Sequence, residues 1–257
     1  MGREDNWSCG NLPNKRSDAN TTRVSAIGGK TILYGGIQGI SNYVKASQLI
    51  NRDFRRTCDH WALNFAHYAR VYRKADLGWI GHIGIPGHTD VSWHQHAKAW
   101  DINHIRFANG TYLDMVRPSR SWDSRRRDQR RLYLAVDASL RRYFTGLIDA
   151  YADKEEHYNH IHVDSSCPAR TPYIRWGRRS DDAEFIQQLV WNFAGRRIRT
   201  DGVWRRETLN GWLLLLRRLN MSRKNPLGSR AVWNTFLAYI MMHGLANKTA
   251  GYWIYPD

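Results

Sequence analysis

Cysteine is scarce in this chain: Cys9, Cys58 and Cys167 are widely spaced and odd in number. That spacing excludes a CxxC metal site, and no disulfide framework is legible. No stretch approaches the roughly 20 apolar residues that a membrane span needs, and the run Trp212 to Leu216 is far too short. No membrane insertion is expected. The opening residues, MGREDNWSCGNLPNKRSD, lack the apolar core of a secretory signal. The chain as written is therefore expected to be made in the cytoplasm without a signal peptide. Acidic residues are few against basic ones, 23 Asp and Glu beside 39 Lys and Arg, which leaves a formal charge of +16. Such a field attracts polyanions, and nucleic acid, anionic membrane and anionic cell-wall polymer all qualify. Internal repeats and low-complexity tracts are missing too, and no pattern specifies an oligomer.

What is present is an ordinary globular composition, 42% apolar and 24% charged, with twelve Trp and thirteen Tyr. Disorder is not the expectation. Much of the positive charge comes in runs, Arg120 with Arg125-Arg126-Arg127 and Arg130-Arg131, then Arg178-Arg179 and Arg205-Arg206. Residues 1–45 are rich in Gly, Asn, Ser and Thr, and their one apolar run, Val24 to Ile40, reads as a short strand or an ordered loop. Helical spacing of Trp61, Leu63, Phe65, Ala66, Tyr68, Ala69 and Tyr72 predicts a helix over Asp59 to Lys74. Strands are predicted over Leu77 to Ile85, Ala99 to Phe107 and Thr111 to Met115, the last two joined by the turn pair Asn109-Gly110. A second helix is predicted from Asp128 to Ala150, and a strand at Ile161 to Val163. The basic, Pro-containing stretch 168–180 reads as a linker. Beyond it, residues 181–257 read as an all-α unit with helices over Asp182–Phe193, Glu207–Leu216 and Ser229–Leu245. The whole is an α+β protein: a small antiparallel sheet with flanking helices in residues 46–167, followed by a small helical domain.

Seven of the eleven histidines fall in two clusters, His88, His94, His96 and His104 around Asp101, and His157, His160 and His162. Histidine is the commonest zinc ligand, and a catalytic zinc site uses three protein ligands and leaves a position open. In Ser92-Trp93-His94-Gln95-His96-Ala97-Lys98-Ala99-Trp100-Asp101, a tight turn at Ala97 leading into a strand at Ala99 brings His94 and Asp101 to one point. On a strand, His160 and His162 lie on one face.

These residues resemble the S-x-H-x-x-G-x-A-x-D motif of the lysostaphin, D-Ala-D-Ala carboxypeptidase and Hedgehog group of zinc peptidases. Ser92, His94, Ala99 and Asp101 match it. His157-Tyr-Asn-His160-Ile-His162 resembles the H-x-x-H-x-H of that group's penicillin-insensitive murein endopeptidases and extensin-like domains. The resemblance covers about Asp59 to Asp164 and implies Zn²⁺ held by His94, Asp101 and His162. It implies His160 as general base, His157 as a supporting polar group, and Ser92 beside the substrate. Glu155 and Glu156 are a rival base. The motif glycine is Ala97 here, and no counterpart appears for the upstream Arg of many carboxypeptidases of the group, so an endopeptidase is favoured.

Asp201-Gly202-Val203-Trp204-Arg205-Arg206-Glu207-Thr208, followed by Gly211-Trp212, resembles the D-G-x-[FW]-G-P-x-T turn of three-helix peptidoglycan-binding domains. The resemblance implies Trp204 and Trp212 as substrate-binding residues, against core packing as the plain alternative. Together the two resemblances imply a zinc peptidase whose partner is bacterial peptidoglycan, acting on the wall after release or export, as a phage lysis enzyme does. The competing readings are a nucleic-acid-binding protein or metal nuclease, and a wall-binding protein with a dead enzyme core. No HNH, zinc-finger or RNA-binding signature supports the first, so nucleic acid is expected to bind only non-specifically.

Overall fold

The computed structural model describes residues 20–36, 42–85, 93–115, 126–144, 146–153, 155–165 and 171–251. Asn51 begins the first long helix, its side-chain oxygen accepting hydrogen bonds from the amides of Asp53 and Phe54. Helix α1 (Arg52–Tyr68) then runs on through a π-helical turn at Ala69–Arg73. Its buried face carries Phe54, Trp61 and Phe65 at helical spacing. Trp61 meets Trp100 edge-on at 5.8 Å and Phe65 lies 6.4 Å from Phe107, so the helix is seated on one face of a sheet.

Six of that sheet's seven strands run in the order β2 (Ala26–Ile27), β3 (Lys30–Tyr34), β5 (Leu77–Gly84), β6 (Ala99–Phe107), β9 (Ile161–Asp164) and β8 (Gly146–Ile148). Strand β7 (Tyr112–Asp114) shares with β9 the edge of β6 that faces away from β5. A separate antiparallel ribbon joins β1 (Thr21–Val24) to β4 (Gln48–Asn51). The α+β class is the expected one, but the sheet is wider than the sequence suggests and is not purely antiparallel, since β3 runs parallel to β5. Because strand residues alternate in direction, Trp100 and Ile102 face α1 while Asp101 between them faces the opposite side.

Helix α2 (Arg127–Arg141) ends nine residues before the predicted Ala150. Phe144 closes the helix through its amide to the Leu140 carbonyl, and Leu147 and Ile148 belong to β8, which pairs with β9. Apolar spacing does not separate a helix end from a short buried strand, and Gly146 disfavours continuing the helix.

Beyond the extended segment 171–180 come α3 (Asp181–Phe193), α4 (Arg206–Arg218) and α5 (Arg230–Leu245). Helix α5 crosses α2 at Gly244, where an added Cβ would lie 2.5 Å from the Arg131 carbonyl and 2.6 Å from the Ala135 Cβ. Arg130 and Arg131 are buried at this junction: Arg130 Nε donates to Asn192 Oδ1 at 2.9 Å and Arg131 Nε to the Asn192 carbonyl at 3.0 Å. Part of the arginine run is thus a structural clamp between helices. Arg141, also buried, bridges Asp137, Asp149 and Asp182 at 2.6, 2.9 and 3.0 Å. No helix among the described residues is long and apolar enough to cross a membrane.

Candidate metal centre

Three short pieces of chain build the centre on the sheet face opposite α1. Asp101 on β6 and His162 on β9 are register partners, so both side chains leave the same face side by side. His94 precedes them in a turn that doubles back at Ala97, whose φ of 54° is the left-handed conformation the motif glycine would take readily. The turn is closed by the Ala97 amide on the His94 carbonyl at 2.9 Å and the Lys98 amide on the Trp93 carbonyl at 3.0 Å. The Asn51 amide holds the Ala97 carbonyl at 2.9 Å, which ties the turn to the start of α1.

The result is a tight triad. His94 Nε2 lies 3.2 Å from Asp101 Oδ2, His162 Nδ1 lies 2.8 Å from Asp101 Oδ1, and the two ring nitrogens are 3.2 Å apart. One ligand atom from each of the three falls within 4.8 Å of the others.

The outer ring nitrogens decide what the inner ones can do. His94 Nδ1 meets the Ile85 carbonyl at 2.9 Å, and His162 Nε2 meets Asp164 Oδ2 at 3.2 Å. His160 Nδ1 meets Asn159 Oδ1 at 2.7 Å, and His157 Nδ1 meets Asp153 Oδ2 at 3.4 Å. A carbonyl or carboxylate oxygen only accepts, so each outer nitrogen can keep its hydrogen while the inner nitrogens of His94 and His162, which face Asp101, give up theirs to a cation. Two ring nitrogens and a carboxylate oxygen converging on one point are a donor set for a cation of intermediate softness. Nitrogen–oxygen sets of this kind suit zinc.

Electrostatics favour positive charge at the same point. Burial alone would lower the His162 pKa, but hydrogen bonds and charge from Asp101 and Asp164 outweigh it and raise it to about 10. Burial would raise the Asp101 carboxyl, yet its bonds to His162 and His94 hold it well below the usual carboxylate range. A cation bound here would replace the proton that these carboxylates otherwise keep on His162.

His160 and His157 form the next layer. His160 Nε2 lies 3.7 Å from Asp101 Oδ1, and burial, reinforced by the neighbouring imidazoles, lowers its pKa to about 4. The ring of His157 sits 4.7 Å from that of His160 and 6.0 Å from that of His162, and burial lowers its pKa too. Glu155 and Glu156, the rival bases, are exposed, and their amides bond Asp153 Oδ1 in the turn that seats His157.

The remaining expected residues are distributed elsewhere. Ser92 and His88 lie outside the described residues, as do Cys9 and Cys167, while Cys58 is a buried free thiol. His96 is buried in the turn, and His104 is stacked between Trp79 and Tyr112 at 4.6 and 5.5 Å. Trp204 and Trp212 are almost wholly buried, with Trp212 edge-on to Phe236 at 4.8 Å. They back a groove between α4 and the following loop.

Sequence reasoning missed the outer partners: Asp164, Asn159, Asp153 and the Ile85 carbonyl. Asp164 was within reach, since it follows His162 by two residues on one strand face. No curated protein and no solved structure matches the chain. Residues 84–174, which contain the triad together with His157 and His160, match the family model described as Extensin-like protein C-terminus.

Proposed function

We propose that the protein is a zinc-dependent peptidase that hydrolyses peptide bonds in bacterial peptidoglycan. The observation that carries this reading is the convergence of His94, Asp101 and His162, with an oxygen acceptor on the outer nitrogen of each ring. Zinc held by His94, Asp101 and His162 would supply a Lewis acid for the scissile carbonyl and make a water nucleophile available near neutral pH. The protein's own groups do the rest. Asp101 and Asp164 hold negative charge around His162, and Asp164 and the Ile85 carbonyl fix the ring orientations. His160, neutral above about pH 4, presents a bare Nε2 that accepts the proton of the attacking water and returns it to the leaving amine. His157, steadied by Asp153, stands beside His160 to bind a polar group of the substrate.

The match of residues 84–174 to the extensin-like family supports the assignment of the motif. Peptidoglycan as substrate rests on the resemblance of both motifs to wall enzymes and on the +16 charge, which suits an anionic wall. The nucleic-acid alternative loses part of its support, because Arg130 and Arg131 are spent on Asn192.

The test is digestion of purified peptidoglycan by native protein, by chelator-treated protein before and after zinc is restored, and by His162→Ala, with mass spectrometry of the fragments. New amine termini in stem or crossbridge peptides are expected, lost with chelator, regained with zinc and lacking with His162→Ala. Undiminished cleavage by His162→Ala would remove the proposed site.

A further inference from the structure

The last third of the chain carries more than half of the molecule's excess charge. Between residues 171 and 251 stand fourteen Lys and Arg against five Asp and Glu. Of those five, Asp182 and Glu184 are buried, Asp201 is paired with Arg205 at 2.8 Å and Asp181 is half-buried, which leaves Glu207 as the one exposed acid among them. A surface so nearly free of exposed acid faces a polyanion at no repulsive cost.

Apolar groups lie in the same place. Trp176 is 61% exposed, Tyr173 49% and Leu213 48%. Ile174, Leu209, Trp212, Leu213, Leu216 and Leu227 line a groove of about 410 Å³. Trp176 adjoins the groove, because the amide of the next residue, Gly177, bonds the carbonyl of Trp204 in the groove wall at 2.9 Å. Arg175, Arg178 and Arg206 are exposed and lie close to groove residues in the chain, Arg175 lies over the Tyr173 ring at 4.8 Å, and Lys224 is in the groove lining.

We infer that this face docks on an anionic lipid surface. The choice among polyanions follows from the groove. Its lining is mainly aliphatic and its two Trp rings are buried, so the groove itself presents hydrocarbon, with the exposed rings of Trp176 and Tyr173 outside it. Exposed Trp, Tyr and Leu ringed by arginines match a layer with phosphate at the surface and hydrocarbon just beneath. Docking is peripheral, since no helix among the described residues is long and apolar enough to cross a membrane. The inference is independent of the metal centre.

The full-length protein is tested by sedimentation with vesicles of phosphatidylglycerol and phosphatidylcholine, with vesicles of phosphatidylcholine alone, with purified peptidoglycan sacculi and with duplex DNA. Retention on the anionic vesicles with a blue shift of Trp emission is expected, and little retention on phosphatidylcholine. Arg175→Gln, Arg178→Gln and Arg206→Gln should each weaken binding about fivefold. The double variant Trp176→Ser, Leu213→Ser should weaken it by about tenfold or more and remove the blue shift. His162→Ala should bind as the native protein does, which separates this face from the peptidase site. Equal binding of the double variant, equal retention on phosphatidylcholine, or retention by sacculi or DNA without retention by anionic vesicles would each overturn the inference. Circular dichroism of the variants checks that the fold is kept; the arginine, Trp176 and Leu213 positions are all exposed.

Discussion

At the scale of single residues, the outer partners of the histidines decide whether the triad can bind metal. Asp164 accepts the Nε2 hydrogen bond of His162 and so leaves Nδ1, which faces Asp101, as the nitrogen that can give its lone pair to a metal. An amide in its place can present its NH₂ group, which would move the ring hydrogen to Nδ1 and block the ligand atom. Asp164→Asn should weaken zinc binding roughly 10- to 100-fold, measured by competition with a chromophoric chelator, while thermal unfolding with chelator present shows that the fold survives. Unchanged affinity would remove Asp164 from the site. Ala97 is a second residue-scale case, with two opposing effects. Glycine would relieve about 1 kcal/mol of left-handed strain, but the Ala97 methyl is buried and its loss costs about 0.8 kcal/mol. Ala97→Gly should therefore shift stability by less than about 0.5 kcal/mol in urea unfolding. A gain well above that would mean the methyl contributes nothing. This balance explains how the turn forms without the motif glycine.

At the scale of elements, the closest approach lies between α2 and α5, where Gly244 lets the two backbones touch. Alanine would gain up to about 1 kcal/mol of helix propensity, but its Cβ meets the rigid Arg131 carbonyl at 2.5 Å, and overpacking of this kind costs about 1–3 kcal/mol. Gly244→Ala should destabilise the protein by about 1–2 kcal/mol, read as a lower urea midpoint; a stabilised variant would show that α5 can slide along α2. Elements such as these were partly legible in sequence. Strand β6 falls on Ala99–Phe107 as its apolar pattern and the Asn109-Gly110 turn predict, and the three C-terminal helices start and stop within two residues of expectation. Local pattern sufficed there because each element buries its own apolar face. It failed where partners are distant. Strands β2 and β3 owe their place to pairing with β5, and β8 owes its place to β9, none of which a periodicity within the segment records. The triad was legible because its residue types are rare and their spacing fixes which face they share. Asn159 and Asp153 were not, since their value lies in which ring nitrogen they reach.

At the scale of the whole molecule, acid sensitivity follows from where the neutral histidines sit. His82 on β5 and His243 on α5 lie far apart in the chain, and burial holds the pKa of each near 4. Neither ring nitrogen of His82 has a hydrogen-bond partner among the described residues. The ordinary value in an unfolded chain is about 6.5. Between those two values the unfolded chain binds a proton at each site that the folded protein does not, so stability rises with pH through this window and is lost as pH falls from about 6.5 toward 4. Asp181 acts in the opposite sense. Burial, reinforced by Asp149, raises its carboxyl to about 7, so unfolding releases its proton and its contribution falls as pH climbs toward 7. Each fully engaged group changes the slope by about 1.4 kcal/mol per pH unit. His82→Phe and His243→Met should each flatten the dependence of unfolding free energy on pH between about 4.5 and 6 by that amount relative to native protein, and Asp181→Asn should steepen it by the same amount. Urea titrations at several pH values with chelator present, so that metal binding does not contribute, read these slopes directly. Parallel slopes for native protein and His82→Phe would mean that His82 is already charged, or already solvated, in the folded state.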